Sequence, residues 1–212
     1  MSKSWSTFYD YVMPELQGVT TALVDFAVRQ IVIDFFDETG IYTETLSDIA
    51  VLNATATYSF SGVPSGYDVD RVTEMKLGQR RIIPSTPDVL RTMYLDWQAV
   101  TGTPAYYIQE TQDTFRLVPE PDQDFTDALS VRGVLKATQS SSSIPDWIWE
   151  NYVNTMAAGV KGTLMTQVAK PWTNLERGAA YLAEYHSKRG QVRIDQNRSL
   201  TRATMRVQMR KV

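Results

Sequence analysis

Residues 19–40 read VTTALVDFAVRQIVIDFFDETG, and residues 41–60 read IYTETLSDIAVLNATATYSF. The fold turns on the change of rhythm between them. In the first stretch Leu23, Phe26, Ala27 and Ile33 share one helical face, and Val24, Val28, Ile31 and Phe35 share another. Residues three and four apart meet on a helix surface, so this spacing predicts a helix over 19–38. Thr20 or Thr21 caps its start, and Thr39-Gly40 ends it, with glycine free to turn left-handed after the last turn. A helix apolar around most of its girth is buried on several sides, which makes this the central helix of a bundle. From Ile41 the chain becomes β-branched and aromatic and alternates with a period near two over 42–49 and 54–60, which predicts strands.

Toward the N-terminus, Trp5, Phe8, Tyr9 and Val12 fall on one face of a short helix, ended by Pro14 and a turn at Gly18. Toward the C-terminus, further strands are predicted over 69–77, 80–83, 106–109, 114–118 and 129–137, with a short helix over 88–97 carrying Leu90, Tyr94 and Trp97. A polar serine stretch, 139–143, then leads to a second long helix, with Ser143 as its cap and Pro145 in its first turn. Ile148, Trp149, Tyr152, Val153, Met156, Val160 and Leu164 keep helical spacing to about Val168. Ala157, Ala158, Gly159 and Gly162 let a neighbouring helix come close, at a propensity cost of about 1 kcal/mol per glycine. After Lys170-Pro171-Trp172-Thr173-Asn174, a third long helix carries Leu175, Ala179, Leu182 and Tyr185 and weakens at Gly190. The last two helices read as an αα-hairpin.

The fold class expected is therefore α+β: an α-helical bundle, made of a long N-terminal helix plus a C-terminal helical hairpin, with an inserted small antiparallel β domain and an extended basic C-terminal tail. The expected boundaries are 1–40 and 143–190 for the bundle, 41–138 for the β domain and 191–212 for the basic arm.

The 212 residues are 43% hydrophobic and 21% charged, ordinary for a globular protein long enough to bury a core unaided. No apolar run reaches the ~18 residues of a membrane span. The opening MSKSWSTFYDYVMPELQG has no apolar core, so no secretory signal is expected, and the protein is expected to be intracellular. There is no cysteine and one histidine, His186. Disulfides, iron–sulfur clusters, thiolate zinc, cysteine nucleophiles and multi-histidine metal centres are thereby excluded.

The net charge of −3 hides an asymmetry. Residues 1–187 hold 13 Lys/Arg and 23 Asp/Glu. Residues 188–212 hold Lys188, Arg189, Arg193, Arg198, Arg202, Arg206, Arg210 and Lys211 against Asp195 alone. An acidic body with a basic tail points to a separate partner for the tail, either nucleic acid or an acidic protein surface. Arg198, Arg202, Arg206 and Arg210 recur every four residues. Four steps of ~100° make ~400°, so on a helix they form one slowly drifting stripe, with Leu200, Met205, Val207 and Met209 between them. Their mutual repulsion makes the isolated segment a marginal helix that orders on an anionic partner.

The search for chemistry is mostly negative. There is no phosphate-binding loop, no dinucleotide fingerprint and no G-x-S-x-G elbow. His186 reads as a surface or capping histidine. Asp34 and Glu38 share a helical face beside Asp37, but Glu150, Glu176 and Glu184 supply no matching Glu-x-x-His pattern, so a solvated or salt-bridged face is expected rather than a carboxylate metal site. Glu120, Asp122, Asp124 and Asp127 lack the calcium-loop register and read as a solvated turn, with weak divalent binding as the alternative. No catalytic residue, cofactor or metal ligand is assigned.

The segments Ile144-Pro145-Asp146-Trp147, Gly159, Leu164, Pro171-Trp172-Thr173-Asn174, Ala179-Ala180-Tyr181 and Tyr185 form an ordered set. So do the aromatic start, Val12-Met13-Pro14 and Phe35-Phe36-Asp37-Glu38-Thr39-Gly40. Together, over about 4–50 and 143–190, they resemble the head-to-tail adaptor (connector) proteins of tailed bacteriophages; the β insert matches in kind, not in motif. The resemblance implies a structural virion protein, assembled in the host cytoplasm. It implies a homo-oligomeric ring, commonly of twelve copies, seated beneath the portal of a DNA-filled head. The portal protein and a nozzle or tail-tube protein would be its partners, with DNA only passing through and no membrane involved. It further implies that the C-terminal segment docks on the portal. On that basis Arg198, Arg202, Arg206 and Arg210 are expected portal contacts, and Leu200, Met205 and Val207 apolar anchors. An acidic body facing a DNA channel would repel phosphates and let DNA slide. Two other readings stay open: a nucleic-acid-binding protein acting through the arginine stripe, and a hydrolase relying on Asp or Glu.

Overall fold

The computed structural model of the chain describes residues 2–198. In chain order the elements are β1 (Ser2–Ser4), a 3₁₀ turn (Trp5–Phe8), α1 (Tyr9–Val12), a second 3₁₀ turn (Met13–Glu15), α2 (Thr21–Thr39), β2 (Thr43–Thr45), β3 (Thr57–Ser59), β4 (Tyr67–Leu77), β5 (Arg80–Arg81), β6 (Ile83–Pro84), α3 (Pro87–Met93), β7 (Tyr106–Gln109), β8 (Thr114–Val118), β9 (Leu129–Ala137), β10 (Ser143–Pro145), α4 (Asp146–Met165) and α5 (Leu175–Arg198). They group into two compact units: the described parts of Met1–Ile41 and Ala137–Val212, and Tyr42–Lys136.

The expected helical bundle led by a long N-terminal helix is not what forms. The chain opens with a strand: β1 pairs antiparallel with β10, Ser2 opposite Pro145 and Ser4 opposite Ser143. The cause is Pro145. A residue before proline is pushed out of the helical region, so Ile144 is extended, and its backbone groups need a partner that β1 supplies. Trp5 continues the seam: its amide donates to Ser142 O at 3.2 Å and its indole N–H to Ser141 O at 2.9 Å. Pro145, not Ser143, takes the capping position of α4, and no side chain caps that helix.

Helix α2 ends as its sequence suggests, at Gly40 with φ of 57°, whose amide donates to Phe36 O at 2.9 Å. It is not the central helix, however. Phe26 stands 58% exposed, while α4 packs against α1, α2 and α5 and buries almost every side chain from Val153 to Met165. Small residues decide this. A Cβ on Gly159 would lie 3.0 Å from the Tyr185 ring and 3.1 Å from Ile31 Cγ2, and one on Gly162 would lie 2.7 Å from Leu182 Cγ and 3.0 Å from Gly178 O. Neighbours reach the α4 backbone on two sides, and the dispersion attraction of that close approach outweighs the helix propensity lost. Phe8, fully buried, meets Trp149 edge-on at 4.7 Å and closes this core under the N-terminal turns.

The unit Tyr42–Lys136 holds two four-stranded sheets, ordered β2-β9-β4-β5 and β3-β8-β7-β6. It is not wholly antiparallel, as the insert was expected to be, since β6 pairs parallel with β7. The crossover runs through α3, which Pro87 starts and Thr86 caps by accepting the Val89 amide at 3.4 Å. A two-residue strand containing Pro84 has no periodicity to detect. Val69, Met75, Leu77, Leu129, Val131 and Leu135 bury the first sheet's apolar positions; Phe115, stacked 5.8 Å from Tyr58, centres the second.

Candidate functional site

The acidic stripe of α2 and the last three turns of α5 form one seam. Asp34 and Glu38 lie one helical turn apart, as do Arg189 and Arg193, so the two rows meet pairwise. The Arg189 guanidinium binds Asp34 Oδ2, and Arg193 Nη1 binds Glu38 Oε2 at 3.0 Å. The Tyr185 hydroxyl donates to Asp34 Oδ2 at 2.6 Å, and Gln196 Nε2 donates to Ile41 O at 3.2 Å. Arg189 also sits over the Tyr185 ring, 5.4 Å from its centre. Burial first, then the Asp34 hydrogen bond and charge, drive the Tyr185 hydroxyl far above the ordinary phenol value of 10.0. Burial disfavours the Arg189 charge, but Asp34 more than compensates and holds it protonated.

The Asp34/Glu38 pair that sequence reasoning weighed as a metal site is thus neutralised by arginines. Among the described residues no group of three or more His, Cys, Asp or Glu is placed to hold a metal. In the acidic turn, Asp124 Oδ1 accepts the Asn53 amide at 2.7 Å, and Asp127 packs against Gly78. His186 is exposed beside Tyr185.

A second tie holds the start of α5. Lys161 Nζ and Arg177 Nη2 bind opposite oxygens of Glu15 at 2.6 and 2.7 Å, and the Tyr181 hydroxyl donates to Glu15 Oε2 at 2.7 Å. Burial raises the pKa of Glu15, but the hydrogen bonds from Lys161 and Tyr181 and the nearby charges outweigh it and leave the carboxyl below its usual 4.5. Beside it opens a cleft of about 400 Å³ lined by Pro14, Glu15, Met165, Trp172, Asn174 and Arg177. Sequence reasoning missed this cluster, because Glu15 stands in a turn 146 residues from Lys161.

Glu15→Gln is expected to destabilise this unit by about 1 kcal/mol at pH 7, a value reduced for the partial exposure of the pair. Because the folded carboxyl titrates below its unfolded value, its contribution is present at neutral pH and fades as pH falls through the folded value. Urea unfolding at pH 7 and pH 3 should show the variant and parent converging in acid.

The expected portal contacts fall at the edge of what is described. Arg198 is the last residue of α5. Leu200, Arg202, Met205, Arg206, Val207 and Arg210 lie outside the described residues. The structure does show what precedes them. Of the eight cations in the basic tail, Lys188 pairs with Glu184, Arg189 with Asp34 and Arg193 with Glu38. Helix α5 passes Gly190 without a break and is pinned to α2 through Arg193 and to Ile41, just past the end of α2, through Gln196. The profile of the SU10 adaptor protein family matches residues 7–210.

The chain belongs to this family.

The match spans both units and extends into the basic segment, so its range takes in the β unit as well as the two ends that carry the sequence resemblance. Membership makes the chain a phage adaptor, a structural component that associates with other parts of the virion. No curated protein matches the sequence. Among the described residues of the adaptor, no helix is long and apolar enough to cross a membrane.

Proposed function

We propose that this adaptor forms a ring beneath the portal of the DNA-filled head, joins head to tail and lets DNA pass. Twelve copies are the expected number, with a nozzle or tail-tube protein below and assembly in the host cytoplasm. In this reading 1–40 and 143–190 form the scaffold, 41–138 the inserted β domain and 191–212 the arm. Arg198, Arg202, Arg206 and Arg210 contact the portal, and Leu200, Met205 and Val207 anchor there. The observation that carries the reading is the family match running through residue 210, so the basic segment belongs to the adaptor pattern itself. The pinned α5 supports it: the helix that leads to the segment is tied to Asp34 and Glu38 of α2 and to Ile41 just after it, so the segment starts from a fixed anchor. Pre-orienting a binding segment lowers the entropy it loses on docking.

Native mass spectrometry of the purified protein with purified portal tests this. A stable assembly holding many adaptor copies per portal is the expected result. No association across a range of salt, together with tight duplex-DNA binding, would replace the reading with a nucleic-acid-binding role.

A further inference from the structure

The unit Tyr42–Lys136 is charge-polarised along its longest strand. β4 spans 11 residues, ten steps of about 3.3 Å, or about 33 Å from end to end. Its start carries Asp68 and Asp70. The turn between β7 and β8 lies over that start: Gln109 Nε2 donates to Val69 O at 3.1 Å, and the Gln112 amide, oriented to suit its neighbours, donates to Asp68 Oδ2 at 3.0 Å and accepts from Lys136 Nζ at 2.6 Å. The same turn adds the exposed Glu110 and Asp113, so four carboxylates gather at this end against Lys136 and the exposed Arg71, whose position in the alternation puts it on the other face of β4.

The other end is basic. Lys76 lies opposite Arg81, and Leu77 opposite Arg80. Glu74 binds Lys76 at 2.8 Å, and its carboxyl is held below the usual value first by that hydrogen bond and further by the charges of Lys76, Arg81 and Arg132. Arg80, Arg81 and Arg132 are all exposed, and among the described residues none has a carboxylate within ion-pair distance. Glu74 and Asp127, which lies against the Gly78 turn, offset only part of these four cations, and an anion supplied by a neighbour relieves their mutual repulsion.

We infer that the basic end of β4 (Lys76, Arg80, Arg81, Arg132) seats the acidic end (Asp68, Asp70, Glu110, Asp113) of a second copy of this chain. The ends are complementary and, with Asp68 and Asp70 six to eight residues from Lys76, lie about 20–26 Å apart along one strand, so the contact is head-to-tail, the type that propagates and closes into a ring when its rotation allows. Guanidinium groups match carboxylates bidentately, which sets register as well as affinity. Nucleic acid is the less favoured anion: residues 1–187 carry 23 Asp/Glu against 13 Lys/Arg, and that field repels a duplex at long range. The inference rests on the ring reading above and names the surfaces that would build it.

Charge swapping tests it. One variant carries Arg80→Glu and Arg81→Glu, the other Glu110→Lys and Asp113→Lys, with circular dichroism to verify folding. Native mass spectrometry should show each variant alone losing assembly by about tenfold or more in affinity, and an equimolar mixture regaining it. If each variant assembles alone like the parent, or the mixture stays dissociated, the two ends are not the interface, while the ring reading survives. If the parent stays monomeric with portal present, both fall. If the Arg80/Arg81 variant assembles normally but loses duplex-DNA affinity, the basic end is a nucleic-acid contact instead.

Discussion

Particles assembled with protein lacking residues 199–212 are expected to carry almost none of it, while the truncated chain keeps its fold. The deleted segment holds Arg202, Arg206, Arg210 and Lys211, no carboxylate, and the apolar Leu200, Met205 and Val207. Of the expected contacts, Arg198 alone remains upstream. Lys188, Arg189 and Arg193 are engaged with Glu184, Asp34 and Glu38, so they are not free to bind a portal. Arginines at interface centres commonly account for about 2 kcal/mol or more each, so losing three should weaken docking by several orders of magnitude. Quantitative mass spectrometry of purified particles measures occupancy, and the thermal midpoint verifies folding. Full occupancy by the truncated protein would remove the docking role of the arm. Arg202→Glu with Arg206→Glu should reproduce most of the loss with the chain length unchanged.

Tyr185→Ala is the substitution expected to cost most stability, about 3–5 kcal/mol. Its ring is 1% exposed, packed where Gly159 leaves room, and its hydroxyl ties Asp34 to α5. The truncation opens a cavity that the α4–α5 crossing cannot close, because the small residues of α4 have no atoms with which to follow. Tyr185→Phe keeps the ring and should cost about 1–2 kcal/mol, the value of one buried hydrogen bond to a charged acceptor. Phe also changes the alkaline response. The folded hydroxyl titrates well above its ordinary value of 10.0, so its contribution is complete below that pH and is lost as the pH climbs above it. Denaturant unfolding between pH 8 and pH 11 should show a shallower decline for Tyr185→Phe than for the parent. Equal slopes would mean that Asp34 does not hold this hydroxyl. Because Tyr185 and Arg189 also fix α5 against α2, Tyr185→Ala should weaken portal association beyond what its loss of stability explains.

Much of the local structure was legible in the sequence, for local reasons. The helix over Thr21–Thr39 and its glycine stop follow from neighbours three and four residues apart. The β7–β8 hairpin and β9 show as short alternating runs. The small residues 157–162 signalled a close helix crossing, though not which helix would become central. That choice depends on how much volume each neighbour brings, and Tyr185, Ile31 and Leu182 come from distant parts of the chain. β1 and β10 were missed because three-residue strands carry no period, and their pairing joins segments about 140 residues apart. The Asp34/Glu38 row was visible, and so were Arg189 and Arg193. Their meeting was not, since helical spacing orders each row without saying which row it faces.

The helical and strand periods, the absence of thiol chemistry, the acidic body with its basic end and the family pattern were all readable from the chain of residues. These are properties of residue types and of spacings shorter than a few turns. Only the folded chain decided that the first described residues form a strand, that α4 occupies the centre of its unit and that Lys188, Arg189 and Arg193 are bound to carboxylates. It also decided that opposite charges stand at the two ends of β4. Each of these depends on side chains that chain folding brings together, and pairwise contact over such separations leaves no trace in local periodicity.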